Sequence, residues 1–173
     1  VYADQDGALV SGWVRDGGQW YYLDPSSKVM KTGWLADGGS WYYLTASGAM
    51  ATGWTAVGGT WYYLDPNTGA MATGWLKDGD TWYYLHGSGA MATGWVNLSG
   101  AWFYLNGNGS MATGWVKLGG TWYYLTESGQ MAIGWVKDGG SWYFCHPSGA
   151  MATGRVVIGG TAYTFDGSGR WVA

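Results

Sequence analysis

The sequence is short of charge, proline, phenylalanine and cysteine. Charged residues make up 11% of its 173 positions, where about a quarter is usual for a globular domain. The net charge is −3 and no basic run occurs. Nucleic-acid binding rests mainly on phosphate neutralisation by Lys and Arg, so that partner class is excluded. No apolar run approaches the roughly 20 residues of a membrane-spanning helix, which argues against membrane insertion, and no signal-peptide pattern is present. The chain opens at Val1 without an initiator methionine, which reads as a processed or excised piece. The single cysteine, Cys145, has no internal disulfide partner and is expected to be an incidental thiol. His86 and His146 are the only histidines, both placed in linkers. No metal-ligand spacing, phosphate loop or nucleophile elbow occurs, so no catalytic residue, metal or cofactor is expected.

What is abundant is glycine, tryptophan and tyrosine. Gly holds 33 positions and Trp and Tyr together 29, against three for Phe. That bias favours flat rings with a polar handle, as found where aromatics meet solvent and ligands.

These residues recur with a fixed period. Gly-Trp pairs place Trp13, Trp34, Trp54, Trp75, Trp95, Trp115 and Trp135 at intervals of 20 or 21 residues. A second series, Trp20, Trp41, Trp61, Trp82, Trp102, Trp122 and Trp142, trails the first by seven residues each time. A third, Met30, Met50, Met71, Met91, Met111, Met131 and Met151, takes every methionine in the chain. The unit is close to TGWxxxGGxWYYLxxSGAMA, and periods of this length mark solenoids and arrays. Residues 1–12 read as the tail of a preceding unit, with Leu9 in the methionine place. Residues 13–154 hold seven near-consensus repeats, and 155–173 a degenerate one in which Arg155 and Ala162 replace the two Trp. Terminal repeats often depart from the consensus because one side has no neighbour. The chain is thus expected to form one repeat array over 1–173.

Within each unit two short aromatic and β-branched segments flank a glycine pair such as Gly119-Gly120. Two-residue hairpin turns need positive φ, which Gly supplies; Asp80 and Ser99 vary the turn in two units. No helical periodicity is sustained. In the stretch TGWVKLGGTWYYL (113–125) this turn sets Lys117 opposite Trp122 and Trp115 opposite Tyr124. Alternation then puts Trp115, Trp122 and Tyr124 on one face, and Val116, Tyr123 and Leu125 on the other. A lone hairpin is marginal in water, so the expected fold is all-β, a solenoid of stacked β-hairpins. The two-Trp face of one unit meets the Tyr123-type face of the next. Tyr22, Tyr43, Tyr63, Tyr84, Tyr104, Tyr124 and Phe144 are read as packing residues, as is the Leu125 series. Two Trp and two Tyr per unit exceed what packing alone needs. A box of electron-rich ring faces suits a quaternary ammonium, which sheds water readily and donates no strong hydrogen bond, and a polarisable Met can close its floor.

The motif resembles the choline-binding, or cell-wall-binding, repeats of bacterial and phage surface proteins and murein hydrolases, and the resemblance covers essentially the whole chain. It implies hairpins stacked in a left-handed superhelix, with a choline of the wall or membrane teichoic acid between consecutive hairpins. Two Trp of one repeat and a Tyr of the next would form each box, beside a Met. Carried over, the first box is Trp13, Trp20 and Tyr42 with Met30. The second is Trp34, Trp41 and Tyr62 with Met50, and the third Trp54, Trp61 and Tyr83 with Met71. The fourth is Trp75, Trp82 and Phe103 with Met91; Phe103 departs from the pattern by losing the phenol. The fifth is Trp95, Trp102 and Tyr123 with Met111, the sixth Trp115, Trp122 and Tyr143 with Met131, and the seventh Trp135, Trp142 and Tyr163 with Met151. No eighth is expected. The resemblance further implies a secreted, cell-surface, non-catalytic module whose partner is choline-decorated teichoic or lipoteichoic acid, and it leaves open pairing of two copies through a terminal repeat. The alternatives are a glycan-binding array and a purely structural spacer. Sugars also stack on Trp and Tyr, but they need polar groups around the ring. Asp16, Asp37, Asp78 and Asp138, the nearest such groups, are read as turn formers.

Overall fold

The structure, a computed structural model, describes residues 2–3 and 6–173, so residues 1, 4 and 5 of the partial N-terminal repeat lie outside it. Among the described residues there are sixteen strands and no helix, all strands five residues long. They run in pairs: β1 (Gly12–Asp16) with β2 (Gln19–Leu23), β3 (Gly33–Asp37) with β4 (Ser40–Leu44), and β5 (Gly53–Val57) with β6 (Thr60–Leu64). Then come β7 (Gly74–Asp78) with β8 (Thr81–Leu85), β9 (Gly94–Leu98) with β10 (Ala101–Leu105), and β11 (Gly114–Leu118) with β12 (Thr121–Leu125). The last pairs are β13 (Gly134–Asp138) with β14 (Ser141–Cys145), and β15 (Gly154–Ile158) with β16 (Thr161–Phe165).

The expected register is the observed one. In the sixth hairpin Trp115 pairs with Tyr124, Lys117 with Trp122, and Val116 with Tyr123. The turn residues Gly119 and Gly120 have φ of 55° and 88°, the double left-handed geometry that matches the twist of the strands. Ser99 adopts the same region with φ 52°, one of the few non-glycine residues to do so.

The chain divides into two compact units, Val1–Leu76 with Tyr84–Met91, and Lys77–Tyr83 with Ala92–Ala173. Each has the same core. In the first unit the last residue of every second strand, Leu23, Leu44, Leu64 and Leu85, is fully buried. In the second unit the same place is held by Leu105, Leu125, Cys145 and Phe165. Cys145 is thus a packing residue at a leucine position. Burial pushes its thiol pKa up to about 11, so it is un-ionised and inert at neutral pH. Alternate faces separate it from His146, which lies in the following linker.

The linkers join one hairpin to the one before. After β4, the segment 45–49 closes on itself through Thr45 N–H to Ala49 O (2.9 Å) and Gly48 N–H to Thr45 O (2.8 Å). That fold-back sets Met50 beside Leu44 as an isolated antiparallel bridge. The Met50 N–H then donates to the carbonyl of Trp20, in the preceding hairpin, across 2.7 Å. In the same unit Met71 bonds Trp41 (2.7 Å) and Met91 bonds Trp61 (2.8 Å). In the second unit Met111, Met131 and Met151 bond Trp82, Trp102 and Trp122 across 2.7–2.8 Å. The side chains of Met30, Met50, Met71, Met111, Met131 and Met151 each lie against the glycine of the next linker. A Cβ on Gly69, for example, would collide with Sδ of Met50, and its φ of 73° disfavours side chains in any case. At the N-terminus Leu9 bridges Ala3 and Val10 N–H donates to Tyr2 O, repeating the pattern with Leu9 in the methionine place.

Candidate functional site

The seams between hairpins carry the aromatic clusters. In the first unit Trp13 meets Tyr42 of the next hairpin at a centroid distance of 4.9 Å and 67°. Trp34 meets Tyr62 at 4.7 Å and 68°. In the second unit Trp95 meets Tyr123 (5.1 Å), Trp115 meets Tyr143 (4.8 Å) and Trp135 meets Tyr163 (5.0 Å). These pairs, inclined at 59–75°, approach the edge-to-face arrangement that ring quadrupoles favour. The Tyr22 series packs on the same Trp from within its own hairpin, as in Trp13–Tyr22 at 5.3 Å. The second-strand tryptophans are not core: Trp20 is 39% exposed and Trp122 38%. They stand as open side walls.

Concave sites result at these seams. One of about 330 Å³ is lined by Trp13, Trp20, Tyr42, Met50, Asn67 and Thr68. Another of about 340 Å³ is lined by Trp95, Trp102, Tyr123, Met131, Pro147 and Ser148. The third, about 250 Å³, is lined by Trp115, Trp122, Tyr143, Met151 and Ser168. Small-molecule sites usually span about 300–1,000 Å³, so these suit a small ligand.

In these three pockets the rings come together in the expected sets, whereas the methionines do not. The first pocket holds Met50 rather than Met30, the fifth Met131 rather than Met111, and the sixth Met151 rather than Met131. By the same backbone bond, Met71 rather than Met50 joins Trp41 in the second seam. The physical reason is the fold-back of the linker, which carries the methionine that follows a hairpin onto the tryptophan strand of the hairpin before it. Met30 consequently lies one seam upstream of Trp13, against Gly48. In the seventh seam the position falls to Trp171, whose N–H donates to Trp142 O at 2.8 Å. Its ring lies 6.0 Å from Trp135 and 6.1 Å from Tyr163, so Met151 is displaced from this set by an indole.

Two further features escape the repeat pattern. The rim of each pocket includes a linker tip from one repeat further on, such as Asn67 and Thr68 against Trp13 and Trp20. Asp37 and Asp138 are also more than turn formers: Trp13 Nε1–H donates to Asp37 Oδ2 at 3.0 Å, and Trp115 Nε1–H to Asp138 Oδ2 at 3.2 Å. Asp16 accepts from the Tyr2 hydroxyl at 3.0 Å, which lifts that phenol's pKa.

Of the other expected site residues, Trp54 and Trp61 lie on β5 and β6, Trp75 and Trp82 on β7 and β8, and Tyr83 and Phe103 at the Tyr42 position of β8 and β10. Phe103 is buried. Arg155 and Ala162 are exposed on the last hairpin. Among the described residues no cluster of His, Cys, Asp and Glu is suited to a metal ion, and no helix is long and apolar enough to cross a membrane.

Stacked two-strand hairpins with ring-lined pockets at their seams define a repeat-built binding array. Family models agree. The choline-binding repeat model matches residues 31–74, 51–93 and 92–134, and the putative cell wall binding repeat model matches 11–26 and 133–151. The chain belongs to the choline-binding repeat family. It is similar to CbpJ from Streptococcus pneumoniae TIGR4, with 43% identity, TM-score 0.91, and coverage of 99% of this chain and 61% of that one. It is also similar to choline binding protein F from Streptococcus pneumoniae, solved in the presence of a peptidoglycan analogue (40% identity, TM-score 0.88, 98% and 60% covered). A third likeness is to the choline-binding domain of CbpL from Streptococcus pneumoniae (35%, TM-score 0.70, 94% and 87% covered). No curated protein sequence matches. The chain spans about three fifths of the length of the first two relatives. It is a choline-binding, cell-wall-binding type of repeat module, associated by its family with the bacterial cell surface.

Proposed function

We propose that the pockets at the seams are cages for choline headgroups, and that the module anchors its chain to choline-bearing teichoic and lipoteichoic acid on the outside of a bacterium. The observation that carries this reading is the first pocket, where the rings of Trp13, Trp20 and Tyr42 and the thioether of Met50 converge on one small concave site. Such a lining offers π faces and a polarisable floor to a cation that needs no hydrogen-bond partner. The indoles already attract ammonium groups: Lys117 Nζ lies 5.7 Å from the Trp122 centroid and Lys137 Nζ 5.6 Å from that of Trp142. The choline sites are then Trp13, Trp20, Tyr42 and Met50; Trp34, Trp41, Tyr62 and Met71; and the fifth and sixth pockets as lined above. The seventh is Trp135, Trp142, Tyr163 and Trp171.

A cation over one ring gains about 0.5–2 kcal/mol depending on desolvation. Three rings, less the cost of immobilising the ligand, correspond to affinities on the order of millimolar. A polymer bearing many cholines engages several pockets together, and avidity strengthens binding by roughly a hundredfold or more. A secreted module with no chemistry of its own is consistent with this use.

Retention on an immobilised tertiary- or quaternary-amine resin tests the reading. Elution by free choline, but not by the same concentration of sodium chloride, is the expected result. Failure to bind would reject it and favour a glycan ligand, for which the rim hydroxyls of Thr68, Ser148 and Ser168 would be the polar contacts.

A further inference from the structure

The pockets are not equivalent, and the difference lies in one residue at the end of each first strand. That position reads Asp16, Asp37, Val57, Asp78, Leu98, Leu118, Asp138 and Ile158 along the array. Where it is Asp37 or Asp138, the carboxylate accepts the indole N–H of the Gly-Trp tryptophan of the hairpin before, Trp13 or Trp115. The second, fifth and seventh seams offer Val57, Leu118 and Ile158 at the same place, which have no acceptor for Trp34, Trp95 or Trp135.

We infer that Asp37 and Asp138 are positioning residues for the ligand cation: by holding the indole N–H of Trp13 and Trp115, they make the pockets those rings line better cation sites than the same pockets built on an aliphatic residue. This rests on the choline reading above. Two effects act in the same direction. A charge-assisted hydrogen bond fixes the rotation of the indole, so less ring freedom is lost when a cation docks. Donation of the N–H to a carboxylate also raises electron density on the ring, whose quadrupole attracts the cation. The carboxylate's own charge acts in the same direction, while the neighbouring cations do not supply the difference. Arg15 stands opposite Trp20 in the first hairpin, and in the sixth Lys117 lies over Trp122 while Arg170 is hydrogen-bonded with Tyr143. The sixth pocket is therefore flanked by two cations. The comparison is cleanest between the first seam, with Asp37, and the second, with Val57.

The test is a swap, read site by site. Indole N–H resonances in ¹⁵N-labelled full chain, assigned with single Trp→Phe variants, are followed through a titration with choline chloride. In the wild type Trp13 should half-saturate at about threefold lower choline than Trp34, and its N–H should exchange more slowly with solvent. In the double variant Asp37→Val, Val57→Asp the order should reverse, with Trp95 unchanged as the internal reference. Asp37→Asn, which keeps a weaker acceptor, should fall between. A mere packing role would alter the melting temperature without reordering Trp13 and Trp34. Equal midpoints in the wild type, or a swap that leaves the order as it was, would overturn the inference while the choline reading stands. Silence of every indole at high choline would overturn both, and is a separate result.

Discussion

Met50 and Trp20 are thirty residues apart in sequence and joined by a 2.7 Å backbone hydrogen bond. The bond does two jobs. It fastens the linker of one repeat to the hairpin before it, and it brings the Met50 side chain to the pocket formed by Trp13, Trp20 and Tyr42. Stacking and site formation are consequently one event, so a ligand that fills the pocket draws the hairpins together.

Choline should therefore stabilise the fold, since it binds only the stacked state. At ten times its dissociation constant, one site adds about 1.4 kcal/mol. Thermal unfolding followed by far- and near-ultraviolet circular dichroism should show a melting temperature that climbs with choline and not with matched sodium chloride. A flat response would count heavily against seam binding.

The methionine register separates two otherwise similar variants. Trp95→Ala should abolish the fifth site, lowering the choline stoichiometry by one. Met131→Ala should weaken that same site, because Met131 lines it, whereas Met111→Ala should leave it intact. Site-resolved titration of Trp102 reads the difference. If Met111→Ala proves the damaging change, the linker crosses to the other seam.

Cys145 should be silent to thiol reagents in the native protein. It is fully buried and its pKa is raised to about 11, so the thiolate is scarce at neutral pH. Labelling by an aromatic disulfide reagent should appear only with unfolding. Cys145→Leu, which restores the residue used at that place in six other repeats, should stabilise by about 1 kcal/mol. Stoichiometric labelling of the folded chain would contradict this placement.

Ser99 sits at a φ of 52°, where a side chain is strained. Ser99→Gly relieves about 1 kcal/mol of backbone strain and gives back about half of it in unfolded-state entropy. The net rise in melting temperature should be about 1–2 °C. A fall would mean that contacts of the Ser99 side chain outweigh the strain.

Acid should loosen the linkers first. The Asp65 carboxylate is held below its usual pKa by the Thr68 and Asn67 N–H groups (2.8 and 2.9 Å), and Asp166 by the Ser168 hydroxyl and the Arg170 and Ser168 N–H groups. A folded pKa below the unfolded value of about 3.9 contributes stability that is complete above that pH and is lost as the pH falls through the folded pKa. Melting temperature should be level above about pH 5 and decline below about pH 4, and Asp65→Asn should flatten part of that decline. Because Asn67 and Thr68 rim the first pocket, this variant should also weaken choline binding there at neutral pH.

Much of the hairpin was legible in the sequence, because its determinants are local. The Gly119-Gly120 pair sets the turn, the turn sets Trp115 opposite Tyr124, and alternation then sends Tyr123 to the other face. The meeting of Trp115 with Tyr143 follows from stacking those two faces. What sequence reasoning missed was carried by long-range backbone bonds. Nothing near Met50 announces that its N–H will reach Trp20, so a local reading of the repeat places each methionine one seam too far downstream. Asp37 looked like a turn residue because it stands next to Gly38-Gly39, while its partner Trp13 lies in another repeat. Trp171 had a signal that went unread: GSGRW at 167–171 aligns with the SGAM of the repeat and puts an indole in the methionine place.

That substitution bears on how a site is assembled. The first, fifth and sixth pockets each draw their tryptophans from one repeat, their tyrosine and methionine from the next, and their rim from a third. A site is therefore a property of succession, and it cannot be cut out with a single unit. Duplicating one twenty-residue segment adds one complete seam and leaves the others unaltered, whereas removing the final repeat opens the seam before it. In the seventh seam Trp171 fills, from the last linker, the place that a methionine fills in the others. An array of this kind can lengthen or shorten by whole units while every internal pocket keeps its form, so the number of grips is set by the number of repeats in the chain rather than by redesign of any one of them.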